Sequence, residues 1–171
     1  MARANQIRVL GTFEYHDEAS RALSTPGDAA LVHRGVPRGL LVRCPCGCGE
    51  TLVINLDRRA GKAWRMYERA KSVSLYPSYW RDTGCGSHFI IWGNHIYWCD
   101  WEDLYPPSDA PGEVEARVLR VLTEHFAPYE GIADHIGEIP WAVLLACRSL
   151  VSKGLAVEKG PRRAGEFRRR E

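Results

Sequence analysis

The sequence predicts an α+β fold in two parts, on three observations. Short runs of β-branched and aromatic residues alternate with turn residues up to about residue 104, as in antiparallel sheets. After residue 112, apolar residues recur at helical spacing. Between the two parts, residues 105–112 (YPPSDAPG) contain three prolines and a glycine, which interrupt helices and central strands. We therefore expect a β-rich domain over 1–104, a linker over 105–112 and a helical domain over 113–171.

The composition narrows the class of protein. The chain has 171 residues, of which 45% are hydrophobic and 26% charged, which excludes a largely disordered chain. No apolar run approaches the roughly 20 residues that span a bilayer, and the first residues lack the apolar region of a secretory signal. We therefore expect a cytoplasmic protein with no membrane partner.

Two strand pairs are predicted in the first part. Residues 39–43 (GLLVR) and 51–56 (TLVINL) flank a cysteine-rich turn, and 88–92 (HFIIW) and 95–99 (HIYWC) are joined by Gly93-Asn94, a typical two-residue hairpin turn. A weaker early strand is expected near 6–15. Residues 63–70 (AWRMYERA) fit a short helix or an irregular crossing.

Three helices and a hairpin are predicted in the second part. We expect helices over about 113–125, 131–136 and 140–153, with Gly137 ending the second and Pro140 in the first turn of the third. A strand from residue 155 to 158 and a return near 166–169 complete the pattern. This is the element order of a small winged-helix domain.

Cysteine spacing predicts a metal site. Cys44, Cys46 and Cys48 lie in one glycine-rich turn, and Cys85 and His88 form a C-x-x-H pair before the second hairpin. Zinc commonly takes four such ligands from two turns, so we expect one structural Zn²⁺ in a zinc-ribbon-like antiparallel β domain. Five candidates compete for four places, and the sequence does not decide which four bind.

Two weaker chemical readings remain open. Glu50 follows Cys48 by two residues, which resembles the ligand-x-Glu motif of zinc deaminases and allows an open, catalytic zinc site in a hydrolase or deaminase-like enzyme. The apolar strand predicted after His88 speaks against it, because those enzymes place a helix there. Ser78 in the Pro77-Ser78 pair is a possible nucleophile, but a turn role is favoured because no partner is evident.

The motifs resemble a family. The pattern C-x-C-G-C-G from Cys44, then Pro77-Ser78, then C-x-S-H-F from Cys85 is similar to an uncharacterised bacterial domain family, over about residues 30–100. The resemblance implies zinc binding and an accessory role beside bacterial ubiquitin-like proteins and their activating and conjugating enzymes. The helical part after the linker departs from the family's plain pattern.

The third predicted helix suggests a protein partner. Trp141, Leu144 and Leu145 are expected outside the core, where a DNA reader would carry polar groups. We therefore favour a non-enzymatic adaptor that contacts a ubiquitin-like pathway component or a second copy of itself. The alternative is a DNA-binding winged-helix regulator that uses the basic tail. The basic residues of that tail are Arg162, Arg163, Arg168, Arg169 and Arg170.

Overall fold

Helices and strands occur in both parts of the chain, which confirms the α+β prediction. The structure, a computed structural model, describes residues 3–99, 112–160 and 165–171. It divides into two compact units, Met1–Pro106 and Pro107–Glu171. The predicted linker lies outside the described residues except for Gly112. That each unit folds by itself stays a prediction.

A four-stranded sheet forms the first half of unit 1. Its strands lie in the order β1-β2-β3-β4, with β1 parallel to β2 and the other pairs antiparallel. The helix α1 covers one face, where Ala19 and Leu23 pack against Ala30, Val32 and Leu41. The elements are β1 (Arg8–Phe13), α1 (His16–Ala22), β2 (Asp28–Arg34), β3 (Val36–Arg43) and β4 (Thr51–Asn55).

Five shorter strands pack on the other face of this sheet. After a 3-10 turn at Arg58–Ala60, β5 pairs with β6, and β7, β8 and β9 form a three-stranded antiparallel sheet. The shared core includes Leu40, Ile54, Leu75, Phe89 and Ile91. The strands are β5 (Arg65–Arg69), β6 (Ser72–Tyr76), β7 (Tyr79–Trp80), β8 (His88–Trp92) and β9 (His95–Trp98).

Local sequence explains why one predicted element is confirmed and another is wrong. The Gly93-Asn94 turn has positive φ at both residues, 58° and 67°, as the predicted hairpin requires. The helical reading of residues 63–70 is wrong, because Arg65–Arg69 is the strand β5. Trp64 and Met66 both pack against the core, so period-two alternation decides the conformation of this segment.

The N-terminal residues join two distant parts of unit 1. The N–H of Ala4 donates to the carbonyl of Pro45 at 2.8 Å, and the carbonyl of Asn5 accepts from the N–H of Ile96 at 2.8 Å. The Trp98 indole N–H donates to the Ala4 carbonyl at 3.2 Å. Residues 4 and 5 therefore lie between the cysteine turn and β9.

Unit 2 has the predicted helix and hairpin order, with one added strand. Its sheet has the antiparallel order β10-β12-β11, and α2 ends before the expected His125. Gly137 ends α3 in the left-handed conformation, and Pro140 begins α4, as expected. None of the helices in the described ranges has the length and apolar character that a membrane crossing needs. The elements are α2 (Gly112–Val121), β10 (Ala127–Pro128), α3 (Tyr129–Ile136), α4 (Pro140–Ser152), β11 (Ala156–Glu158) and β12 (Glu166–Arg169).

The expected exposure of α4 is wrong at two of three positions. Trp141 is only 6% exposed and Leu144 only 2%, whereas Leu145 is half-buried. The reason is that α4 packs against α2, α3 and β11, so apolar side chains are needed on most of its circumference. A protein contact through this helix stays a prediction for Leu145.

The burial of Leu144 has a measurable consequence. Leu144→Glu should lower the free energy of unfolding of unit 2 by about 3 kcal/mol or more, because it removes core packing and buries a carboxylate. Leu145→Glu is the matched control and should lower the free energy of unfolding clearly less. Thermal melts followed by circular dichroism make the comparison, and equal melting temperatures for both variants would contradict the packing described.

Candidate metal centre and an adjacent serine–histidine pair

The turn between β3 and β4 gathers three thiols. The N–H of Cys44 donates to the Glu50 carbonyl at 2.8 Å, and the N–H of Gly47 donates back to the Cys44 carbonyl at 3.1 Å. Gly47 and Gly49 both have φ of 86°, a conformation that side-chain-bearing residues rarely adopt. The glycines therefore allow the tight turn that brings the sulfur atoms of residues 44, 46 and 48 together.

Cys85 completes a group of four thiols. The sulfur atoms of Cys44, Cys46, Cys48 and Cys85 all lie within 4.8 Å of one another. Cys44 Sγ is 3.3 Å from Cys46 Sγ and 3.8 Å from Cys85 Sγ. Sulfur ligands of a tetrahedral zinc ion lie about 3.8 Å apart, given Zn–S bonds near 2.3 Å. The four-thiol group could therefore hold a metal ion.

Ser87 supports this group from within the fold. Its buried hydroxyl lies 3.1 Å from Cys85 Sγ and 3.6 Å from Cys44 Sγ. Burial favours the neutral thiol at Cys85, but the hydrogen bonds from Ser87 and the neighbouring thiols outweigh it and lower the pKa of Cys85 to about 6. Burial raises the pKa of Cys44 to about 12. Cys85 is thus the thiol whose surroundings most favour the thiolate.

A cation lies beside the four-thiol group. The Arg81 guanidinium is 3.7 Å from the Glu50 carboxylate, and it interacts electrostatically with Cys85 and Cys48. A metal bound by four thiolates carries net negative charge, which a guanidinium stabilises. The Glu50 side chain is 61% exposed, and its carboxylate forms an ion pair with Arg81. Four thiols already fill a tetrahedral shell, so the geometry does not favour the open-site, deaminase-like reading.

His88, the fifth predicted ligand, has a different neighbour. It is not part of the four-thiol group. Its Nε2 lies 3.1 Å from the hydroxyl oxygen of Ser78, within hydrogen-bond distance. Burial lowers the pKa of His88, so its ring is held neutral and can accept a proton. Ser78 and His88 are both half-buried and thus in part accessible to solvent.

The register of β7 and β8 explains how this pair forms. Ser78 directly precedes β7, and its carbonyl accepts a hydrogen bond from the Trp64 indole at 3.3 Å. Tyr79 faces inward, where its ring contacts Trp64 and Phe89 at centroid distances of 5.7 and 5.6 Å. Side chains alternate along a strand, so Ser78 and Trp80 share the opposite face.

Trp80 and His88 are direct partners across the two strands. The register pairs them, and their ring centroids are 5.7 Å apart. The ring of His88 therefore contacts both the hydroxyl of Ser78 and the indole of Trp80. The sequence places Ser78 and His88 ten residues apart, and only the pairing of β7 with β8 brings them together.

The basic residues of the DNA-binding alternative are only partly described. Arg162 and Arg163 lie outside the described residues. The guanidinium of Arg168 lies over the Phe126 ring, 5.4 Å from its centroid, and Arg169 and Arg170 are exposed. DNA binding through these residues stays a prediction.

Comparison with known proteins gives one family. No curated protein and no solved structure gives a significant match. Residues 15–99, just under half of the 171-residue chain, match the family described as "Bacterial ubiquitination-like system serine protease (BubE)". This supports the association with a ubiquitin-like system that the motifs implied. The matched residues include the four thiols, Ser78 and His88. Unit 1 is therefore similar to this family of bacterial ubiquitination-like systems.

Proposed function

We propose that unit 1 is a serine peptidase of a bacterial ubiquitination-like system. The single observation that carries the proposal is the 3.1 Å contact between Ser78 Oγ and His88 Nε2. Nucleophile and base within hydrogen-bond reach are the core of serine hydrolase sites on unrelated folds. The description of the similar family as a serine protease supports the same chemistry.

The reaction follows from the roles of the two side chains. Ser78 Oγ attacks the carbonyl carbon of the scissile amide while its proton passes to His88 Nε2. The tetrahedral intermediate then breaks its C–N bond, and His88 gives the proton to the departing amine. Water, deprotonated by His88, attacks the resulting ester, releases the carboxylate and restores the Ser78 hydroxyl.

The four-thiol group has a structural role in this proposal. Its residues fit Zn²⁺, because four sulfur ligands at tetrahedral spacing suit this ion and close its coordination shell. When bound, zinc supplies a cross-link between the β3–β4 turn and the segment before β8. Cys85 lies three residues before His88, so this cross-link fixes the start of the strand that carries the base.

The substrate class follows from the chemistry and the similar family. We propose an amide bond at or beyond the C-terminus of a ubiquitin-like protein, cleaved during its processing or removal. For unit 2 we propose a winged-helix architecture with a protein partner from the same pathway. The peptidase proposal replaces the non-enzymatic adaptor that the motifs alone favoured, because those motifs did not reveal a partner for Ser78.

Covalent labelling tests the proposed function. The full chain is incubated with an alkyl fluorophosphonate, which serine hydrolases attack with loss of fluoride, and the modified residue is located by peptide mass spectrometry. We expect one adduct, at Ser78, which disappears in the His88→Ala variant. Folded protein that stays unlabelled at Ser78 would contradict the peptidase and favour the adaptor.

The low pKa of His88 predicts the pH profile. The histidine must be neutral to accept the Ser78 proton, so activity appears as the pH rises through its folded-state pKa. Burial places that pKa below the usual 6.5. We expect the acid limb of kcat/KM below pH 6.5, and because the charged form is disfavoured in the folded state, stability should fall as the pH drops through the same range. An acid limb above pH 7 would be inconsistent with this site.

A further inference from the structure

The outer edge of β7 lies directly beside the proposed nucleophile. β7 is the outermost strand in the order β7-β8-β9, and within the described part of the chain it pairs only with β8. We propose that this edge binds the substrate as an extended peptide strand, with Trp80 as a substrate-contacting residue. This inference rests on the peptidase function proposed above and names how its substrate is held.

The backbone groups of Trp80 are the ones available for pairing. The N–H of Arg81 donates to the Ser87 carbonyl at 2.9 Å, so Arg81 and Ser87 are a hydrogen-bonded pair. The next pair along the ladder is Trp80 with His88. Hydrogen-bonded and non-hydrogen-bonded pairs alternate in antiparallel sheets, so the N–H and C=O of Trp80 point away from β8.

The hydrogen bonds between β8 and β9 agree with this direction of the Trp80 backbone groups. The carbonyl of His88 accepts a hydrogen bond from the N–H of Cys99 at 2.9 Å. The backbone groups of His88 are thus directed toward the β9 side, and they do not face Trp80. The donor and acceptor of Trp80 are therefore presented at the outer edge, two residues after Ser78.

The side chain of Trp80 lies over the same site. Trp80 is 67% exposed although it is large and apolar, and its ring contacts the ring of His88. An exposed indole next to a reacting pair offers a flat surface to the peptide planes and apolar side chains of a substrate. Ser78, Trp80 and the β7 edge are therefore adjacent, as the binding of a chain in the extended conformation requires.

These observations favour one kind of substrate, an extended polypeptide segment. A strand edge recognises an unfolded polypeptide segment through main-chain hydrogen bonds, with affinity that depends little on the sequence. The paired segment must also carry the amide that Ser78 attacks, two residues from Trp80, so it lies outside the folded part of the substrate. The substrate is therefore an extended tail, such as the residues beyond the folded part of a ubiquitin-like protein, and its amides pair with Trp80.

Two covalent probes separate this inference from the function on which it rests. An alkyl fluorophosphonate needs only the Ser78–His88 pair, whereas a tripeptidyl diphenyl phosphonate also presents a peptide strand. The labelling rate of Ser78 is measured with both probes, and with versions of the peptide probe in which each amide is N-methylated in turn. The variants are Trp80→Ala, Trp80→Phe and the control Val53→Ala, which changes an exposed apolar residue on β4.

We expect one N-methylation to slow the peptide probe about tenfold, because it removes one main-chain hydrogen bond. Trp80→Ala should slow the peptide probe by a similar factor and the fluorophosphonate by a clearly smaller one, since the indole also contacts the His88 ring, while Trp80→Phe and Val53→Ala retain both rates. If Ser78 reacts with both probes but neither N-methylation nor Trp80→Ala affects the peptide probe, the edge does not bind substrate and the peptidase stands. An equal loss with both probes would make Trp80 a support for His88 only. No reaction with either probe would overturn both proposals.

Discussion

Replacing Ser78 by alanine should lower kcat/KM for cleavage of a ubiquitin-like protein from a C-terminal reporter by at least about 10³-fold. The reason is that the substitution removes the atom that attacks the carbonyl. Ser78 is half-buried and its carbonyl bond to Trp64 uses the backbone, so the fold should persist. The rate is measured by release of the reporter, and the fold by the melting temperature.

Ser72→Ala is the matched control for this variant. The Ser72 hydroxyl donates to the Arg69 carbonyl at 2.7 Å in the β5–β6 turn, and it belongs to neither the Ser78–His88 pair nor the four-thiol group. Its activity should equal that of the unmodified chain. His88→Ala should lose about as much activity as Ser78→Ala, and the double variant little more, because the two groups act in one step. Activity that survives in Ser78→Ala would rule out this nucleophile.

Removal of Cys85 should have the largest effect on stability. Cys85→Ser should release the metal and unfold unit 1, since zinc binding to four-ligand sites contributes about 10–16 kcal/mol in small peptides. Unit 2 contains none of the four thiols and should retain its helical circular dichroism signal. Metal content by mass spectrometry and thermal melts of each unit measure both effects.

Cys99→Ala provides the comparison for this substitution. Cys99 is half-buried and lies outside the four-thiol group, with its sulfur 3.9 Å from the Tyr97 carbonyl. The Cys99→Ala variant should keep one metal ion per chain and should lose far less stability than Cys85→Ser. The metal proposal fails if the purified chain holds no stoichiometric transition metal, or if Cys85→Ser melts like Cys99→Ala.

The parts of the fold that sequence analysis found depend on local signals. The Gly93-Asn94 hairpin, α3 with its Gly137 end and α4 with its Pro140 start all follow from residues within or next to the element. The four cysteines likewise lie in two short glycine-rich turns. The hairpin, the helix ends and each cysteine turn are encoded within about a dozen residues, so pattern and spacing are sufficient to predict them. The choice of four ligands among the five candidates depends on the fold, which brings Cys85 to the other three thiols.

The parts that sequence analysis missed depend on distant contacts. The helix α1 and the strand β2 have no strong local pattern, and the parallel pairing of β1 with β2 is visible only in three dimensions. The Ser78–His88 pair requires the register of β7 against β8. The burial of Leu144 depends on neighbours on several sides of α4, which no single helical period reveals.

The N-terminal residues set the order in which unit 1 can be completed during synthesis. The carbonyl of Ala4 accepts its hydrogen bond from Trp98, 94 positions later in the chain. Contacts of such long sequence separation form late and slow the folding rate. On the ribosome, where residues emerge from the N-terminus onward, the first residues must wait until β9 has left the exit tunnel. Nascent chains that stop short of residue 98 should therefore lack this final contact and remain accessible to chaperones and proteases.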